Sequence, residues 1–321
     1  MIHMSLARDI LLKTLLCQLG LSCLGGNVVA EELFFTADPA ALPTSAYIHA
    51  VDLATAPVEP VWIPSSDGVY VAAAVRKPAG EGPFPVLIMF HGAPGGRGME
   101  QLIGWSRGDH GGPVWERFLQ EGYMVIVADY RGGDWNVVNQ PGDGSFATAI
   151  DDGQAVIRYA RSLPEADADN ISLYGVSLGG NLVMYLASMD AGLNAVVAGA
   201  PFPVWYLGAT LGDELATGRM ETVAIDSAVA AANIAPLSVP ILIQVGTDDP
   251  VKPITDKLYA ELNRHGKAVR IEVYEHGYHD FVLGPQGQDA LRPDLPEGEK
   301  LMQITLDALA RSLAFIRSGT L

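Results

Sequence analysis

Apolar positions along this chain recur in short strand-like runs separated by longer stretches with helical spacing. Val69–Arg76, Pro85–Phe90, Met124–Ala128, Leu193–Ala198, Val239–Val245 and Val269–Tyr274 read as strands. Pro-Val-Leu-Ile-Met-Phe at 85–90 is apolar at successive positions, the pattern of a central parallel strand covered on both faces. Between these runs, Ala147–Leu163 places Ile150, Val156, Ile157, Ala160 and Leu163 to face a core and stops at Pro164. Pro113–Glu121, Ile254–His265 and Gly298–Ser318 also read as helices, and 99–112 as a loop. Strand and helix alternate from Pro85 onward, so the expected fold class is α/β, with a mostly parallel central sheet and helices on both faces.

The ends and the middle carry weaker patterns. Residues 31–64 read as an extended N-terminal segment with at most a short strand at 46–53. The turn signal Ser65-Ser66-Asp67-Gly68 joins two β segments, which suggests an antiparallel edge to the sheet. Val204–Ser238 is Ala-rich and helical in pattern, long enough for at most a small cap. No repeat, low-complexity tract or linker breaks residues 31–321, so one domain is expected there.

Composition narrows the partners. The formal net charge is −17, which repels nucleic acid and anionic headgroups. In residues 1–30, Arg8 and Lys13 precede an apolar run from Thr14 to Leu24, and Val28-Val29-Ala30 offers a cleavage site. That pattern predicts a signal peptide and an exported protein, and the run is too short for a stable membrane span. Both cysteines, Cys17 and Cys23, fall inside it, so cleavage after Ala30 leaves neither a disulfide nor a thiolate metal site, although Cys23 as a lipid attachment point is a weaker option. No cofactor is expected. His91–Gly98 is Gly-rich after a strand, yet no Gly-Lys-Ser/Thr closes it as a phosphate loop.

Chemistry gathers at strand ends, where open α/β sheets place their ligands. In Asn170–Met189 a short alternating run leads into Gly175-Val176-Ser177-Leu178-Gly179 and a continuous apolar helix. A sharp strand-to-helix turn of this kind holds its central serine in a strained, exposed conformation, making Ser177 a candidate nucleophile. A serine hydroxyl needs a neutral imidazole to take its proton and a buried carboxylate to orient that imidazole. Val239–Val245 ends in Gly-Thr-Asp-Asp-Pro, offering Asp248 or Asp249, of which adjacent side chains allow only one to face inward. Val269–Tyr274 ends in Glu-His-Gly-Tyr-His-Asp, where His279, beyond a Gly-Tyr turn, can reach back over the sheet better than His276. A metal held by His276, His279 and Asp280 has no specific spacing behind it. The oxyanion of an acyl transfer needs two backbone N–H donors, one from the residue after the nucleophile and one from the loop after an earlier strand. Leu178 is the first; because Pro94 has no N–H, Ala93 is the second, with Gly92 behind it.

Taken together, His91–Gly96, Asp129–Gly133, Tyr174–Gly180, Gly246–Pro253 and His276–Phe281 resemble the α/β-hydrolase superfamily, in particular the catalytic domain of the prolyl oligopeptidase-related peptidases and esterases. The resemblance spans roughly residues 65 to 318. It implies an α/β-hydrolase fold, Asp249 as the triad acid, His279 as the base, and a structural role for Arg131. About thirty-five residues stand where full-length oligopeptidases carry a propeller, and Leu178 stands where the peptidases often have Tyr. Both departures imply a small serine esterase acting through an acyl-enzyme. The alternative is a peptidase on short peptides, whose substrate amine would need an acidic anchor such as Asp134 or Asp213. A binding protein on the same fold is a further alternative. Trp105, Trp135, Trp205 and Tyr206 are candidate pocket residues, each of which could equally be packing.

Overall fold

The computed structural model describes residues 58–93, 95–107, 114–132, 145–279, 281–283 and 298–320. The proposed leader, both cysteines, the strand expected at 46–53, Asp134 and Trp135 lie outside them.

Eight strands form one sheet: β1 Glu59–Pro64, β2 Tyr70–Arg76, β3 Phe84–Phe90, β4 Met124–Ala128, β5 Ala166–Val176, β6 Ala195–Gly199, β7 Ile241–Gly246 and β8 Val269–Tyr274. Their order is β1-β2-β4-β3-β5-β6-β7-β8. The first two pair antiparallel with each other and β2 pairs antiparallel with β4, while every remaining pair is parallel. The antiparallel edge is therefore built by Glu59–Pro64, at the end of the segment read as extended.

Alternate residues of each strand feed two cores. Val86, Ile88 and Phe90 of β3 pack with helices α3 Ser145–Ser162, α4 Leu178–Met189 and α7 Lys252–Arg264. Leu87 and Met89 pack on the other side with α1 Met99–Arg107, α2 Val114–Gln120 and α8 Gly298–Ser318. Helices thus cover both faces, the architecture of an α/β-hydrolase fold, and the parallel strands read as unbroken apolar runs for that reason. The region between β6 and β7 holds only two short helices, α5 Glu214–Thr217 and α6 Ser227–Ile234, and one 3-10 turn.

Two elements differ from the sequence reading. Residues 99–107 form a helix rather than a loop. Met99, Leu102 and Ile103 turn one buried stripe onto the sheet, a pattern too short to stand out beside Gly98 and Gly104. In β5 the apparent polar face is also buried: Ser172 is 0% and Tyr174 1% exposed. Ser172 Oγ accepts from Asn194 at 3.2 Å, and the Tyr174 hydroxyl donates to Gln244 Oε1 at 3.2 Å, so central placement is tolerated because the polar tips are paired.

Candidate active site

The turn between β5 and α4 is the most constrained backbone in the site. Ser177 has φ 54° and ψ −113°, a conformation that costs on the order of 1–3 kcal/mol for a residue with a side chain. Three backbone bonds hold it there. Its N–H donates to Gly199 O at 2.9 Å, and its carbonyl accepts from Phe202 N at 2.9 Å and Asn181 N at 3.2 Å. The flanking glycine at 179 is required by close approach: a Cβ there would lie 2.2 Å from the Phe90 carbonyl oxygen. Strand β3 and the turn are thereby locked together, and the sequence pattern Gly-x-Ser-x-Gly records that contact.

Ser177, Asp249 and His279 meet across three strand ends. His279 Nε2 lies 2.8 Å from Ser177 Oγ. Its Nδ1 lies 3.0 and 3.1 Å from the two carboxylate oxygens of Asp249. A carboxylate can only accept, so Nδ1 carries the hydrogen and Nε2 is left to accept from the serine hydroxyl. All three side chains are buried, and Asp249 Oδ1 also accepts from Val251 N at 2.8 Å, which fixes the carboxylate plane. The neighbouring pair faces outward. Asp248 is bonded by Thr247 Oγ1 at 3.0 Å, and the exposed His276 lies 3.5 Å from the Asp248 carboxylate.

Leu178 is the first residue of α4, where the leading N–H groups of a helix have no intrahelical acceptor. Ala93 lies on the loop after β3. Its neighbour Gly92 packs against Ser177, since a Cβ at 92 would sit 3.2 Å from Ser177 Cβ. The sequence did not reveal how that loop is braced. His91 is buried and its Nε2 lies 3.1 Å from Asp129 Oδ1. Asp129 also accepts from the backbone N–H of Gly96 and Tyr130 at 2.8 Å and of Gly98 at 2.9 Å. Burial alone would raise the Asp129 carboxyl, but the His91 ring and these N–H groups outweigh it and hold it below the usual carboxylate range. A carboxylate directly after the wholly apolar strand 124–128 was the available signal. Arg131 takes the structural part expected of it, with its Nη2 2.6 Å from the buried Asp152 and Nη1 2.6 Å from Asp67.

The aromatic candidates separate. Trp105 packs against His91, with ring centroids 5.1 Å apart, and Arg97 stands over its face at 5.6 Å. Trp205 is partly buried and stacks on Phe146 at 4.7 Å. Tyr206 is in the core, its hydroxyl 2.7 Å from Ser188 Oγ and donating to Asn233 O at 3.1 Å, which is a packing position. Asp213 is exposed and paired with Arg219 at 2.7 Å. Among the described residues no cluster of histidine, cysteine and carboxylate side chains could hold a metal ion.

Comparison with known proteins adds three likenesses and a family. The model of the dienelactone hydrolase family matches residues 71–290. The quorum-quenching protein AidA of Acinetobacter baumannii (strain MDR-ZJ06) is 34% identical over 139 residues, which is 43% of this chain and 42% of that protein. The match thus spans well under half of that curated relative. A Pyrobaculum calidifontis esterase superposes with a TM-score of 0.57 at 19% identity, over 85% of this chain and 90% of that one. The Pyrococcus horikoshii acylaminoacyl peptidase superposes with a TM-score of 0.51 at 17% identity, over 83% of this chain and 42% of that one. At such identities the two structures share the fold.

Proposed function

This chain belongs to the dienelactone hydrolase family, within the α/β-hydrolase superfamily, and we propose that it is a serine hydrolase cleaving carboxylic esters, lactones included, through an acyl-enzyme. The observation that carries the reading is the chain of hydrogen bonds from Asp249 through His279 to Ser177. Ser177 Oγ attacks the ester carbonyl carbon while its proton passes to His279 Nε2. The tetrahedral oxyanion accepts from the N–H groups of Leu178 and Ala93. His279 then gives its proton to the departing alcohol. Water attacks the acyl-enzyme by the same route, releasing the acid and returning the proton to Ser177. A lactone is an internal ester, so in that case alcohol and acid leave as one hydroxy acid.

The peptidase alternative needs a carboxylate free to take a substrate amine. Asp213 is paired with Arg219 at the surface, which supports the ester reading. A fluorophosphonate probe should label the wild type rapidly and leave Ser177→Ala unlabelled. A folded wild type that resists the probe overturns the proposal. p-Nitrophenyl acetate and butyrate, a small lactone and aminoacyl nitroanilides tested in parallel separate the two readings: turnover of the anilides above the esters would replace the esterase with the peptidase.

A further inference from the structure

Three consecutive carbonyls after β3 are each held by a side-chain donor. The Tyr130 hydroxyl donates to His91 O at 2.9 Å, His91 Nδ1 donates to Gly92 O at 2.7 Å, and the Arg97 guanidinium donates to Ala93 O. The middle bond has the chemical consequence. Gly92 O and the Ala93 N–H belong to one peptide unit, and in a planar trans peptide they point in opposite directions. A donor that fixes the carbonyl therefore also aims the N–H, and Gly92 itself lies against Ser177, its Cβ position 3.7 Å from Ser177 Oγ.

The His91 ring has acceptors at both ends: a carbonyl at Nδ1 and a carboxylate at Nε2. Asp129 also receives three backbone N–H groups, which fix the carboxylate against Nε2. The Gly92 carbonyl can only accept, so Nδ1 carries a hydrogen toward it. A hydrogen bond to a carbonyl polarises the N–H across the same peptide. The ring is held in place by stacking on Tyr130 at 4.7 Å and by Trp105 at 5.1 Å.

We propose that His91, held by Asp129, is a positioning residue for ester hydrolysis: through the Gly92–Ala93 peptide it aims and strengthens the Ala93 N–H at the developing oxyanion. The inference rests on the ester-hydrolase reading above. It assigns a task to a buried His–Asp pair that the Ser177, His279 and Asp249 relay does not use.

Two amide substitutions separate this role from simple loop support. His91→Asn puts an amide nitrogen where the ring has Nδ1, keeping the donor to Gly92 O and losing the reach to Asp129. His91→Gln puts it where the ring has Nε2, keeping the Asp129 contact and losing the Gly92 one. With p-nitrophenyl butyrate, His91→Gln should lose on the order of 10²-fold in kcat with KM within about threefold, the signature of an interaction made in the transition state. Inhibition by a trifluoromethyl ketone, whose adduct carries an oxyanion, should weaken by the same factor. His91→Asn should stay within about tenfold of wild type on both measures. A mere brace to Asp129 predicts the reverse order, and His91→Asn as impaired as His91→Gln, or worse, overturns the proposal. Should either variant fail to fold, wild type with 15N-labelled histidine decides. The His91 Nδ1 proton should move downfield when the trifluoromethyl ketone adds to Ser177, and an unmoved resonance overturns the inference. Failure of the fluorophosphonate to label wild type would instead overturn the hydrolase reading, and the role of His91 with it.

Discussion

Replacing Asp249 by Asn tests the proposed relay with almost no change in shape. The carboxylate lies 3.0 Å from His279 Nδ1 and accepts from Val251 N at 2.8 Å, so an amide oxygen can keep the backbone bond while its NH₂ takes the other carboxylate position. Two effects follow. The amide hydrogens face Nδ1 and favour the tautomer with hydrogen on Nε2, which cannot take the Ser177 proton. The negative charge that steadies the imidazolium is also lost. At 3.0 Å and an effective dielectric constant near 20, that pair is worth about 5.5 kcal/mol in the transition state. About 5.5 kcal/mol corresponds to roughly 10⁴ in rate, the same order as losing the productive tautomer in a serine triad. Asp249→Asn should therefore drop kcat on p-nitrophenyl butyrate by roughly 10³- to 10⁴-fold and slow fluorophosphonate labelling comparably, with KM nearly unchanged. Circular dichroism and the thermal midpoint would confirm that the variant is folded. A folded Asp249→Asn enzyme within tenfold of wild type would refute the assignment of Asp249 as the orienting acid.

Gly179→Ala would force a methyl to 2.2 Å from the Phe90 carbonyl oxygen, a backbone atom with no freedom to step aside. Urea unfolding should show a loss of roughly 3 kcal/mol or more, and a loss under 1 kcal/mol would mean that the turn is looser than described. The Asp129 carboxyl is held below its ordinary range in the fold, so its stabilising share is present above its unfolded value near pH 4 and is lost as pH falls through the lower folded value. The stability gap between wild type and Asp129→Asn should accordingly be wide at pH 7 and narrow below about pH 4 in urea melts. A gap independent of pH would contradict a lowered Asp129 carboxyl.

Most of the parallel sheet was legible because a strand buried on both faces must be apolar throughout, and Pro85–Phe90 and Met124–Ala128 announce that state locally. Ser177, Asp249 and His279 could be named for a related reason. Each lies just after a strand, and parallel strands bring their carboxyl ends to one edge, so chain order brought Ser177, the Asp248–Asp249 pair and the two histidines together, and the family resemblance singled out Asp249 and His279. The short helix Met99–Arg107 escaped because its one buried stripe is too brief to stand out, and the bounds of the strand Glu59–Pro64 because they are set by its pairing with Tyr70–Arg76. The buried polar face of β5 escaped for the same reason, since Ser172 and Tyr174 are tolerable inside only once Asn194 and Gln244 arrive to pair with them.

By itself, then, the sequence determined the fold class and which residue types stand at the strand ends, since periodicity and chain order are local properties. Choosing Asp249 over Asp248 by geometry needed the tertiary structure, because two adjacent carboxylates differ only in which faces the core. The tie from His91 to the Gly92 carbonyl also needed it, as did the support from Asp129. A hydrogen bond of 2.7 Å depends on ring orientation, and that orientation is set by Trp105, Tyr130 and Asp129 packed around it in space.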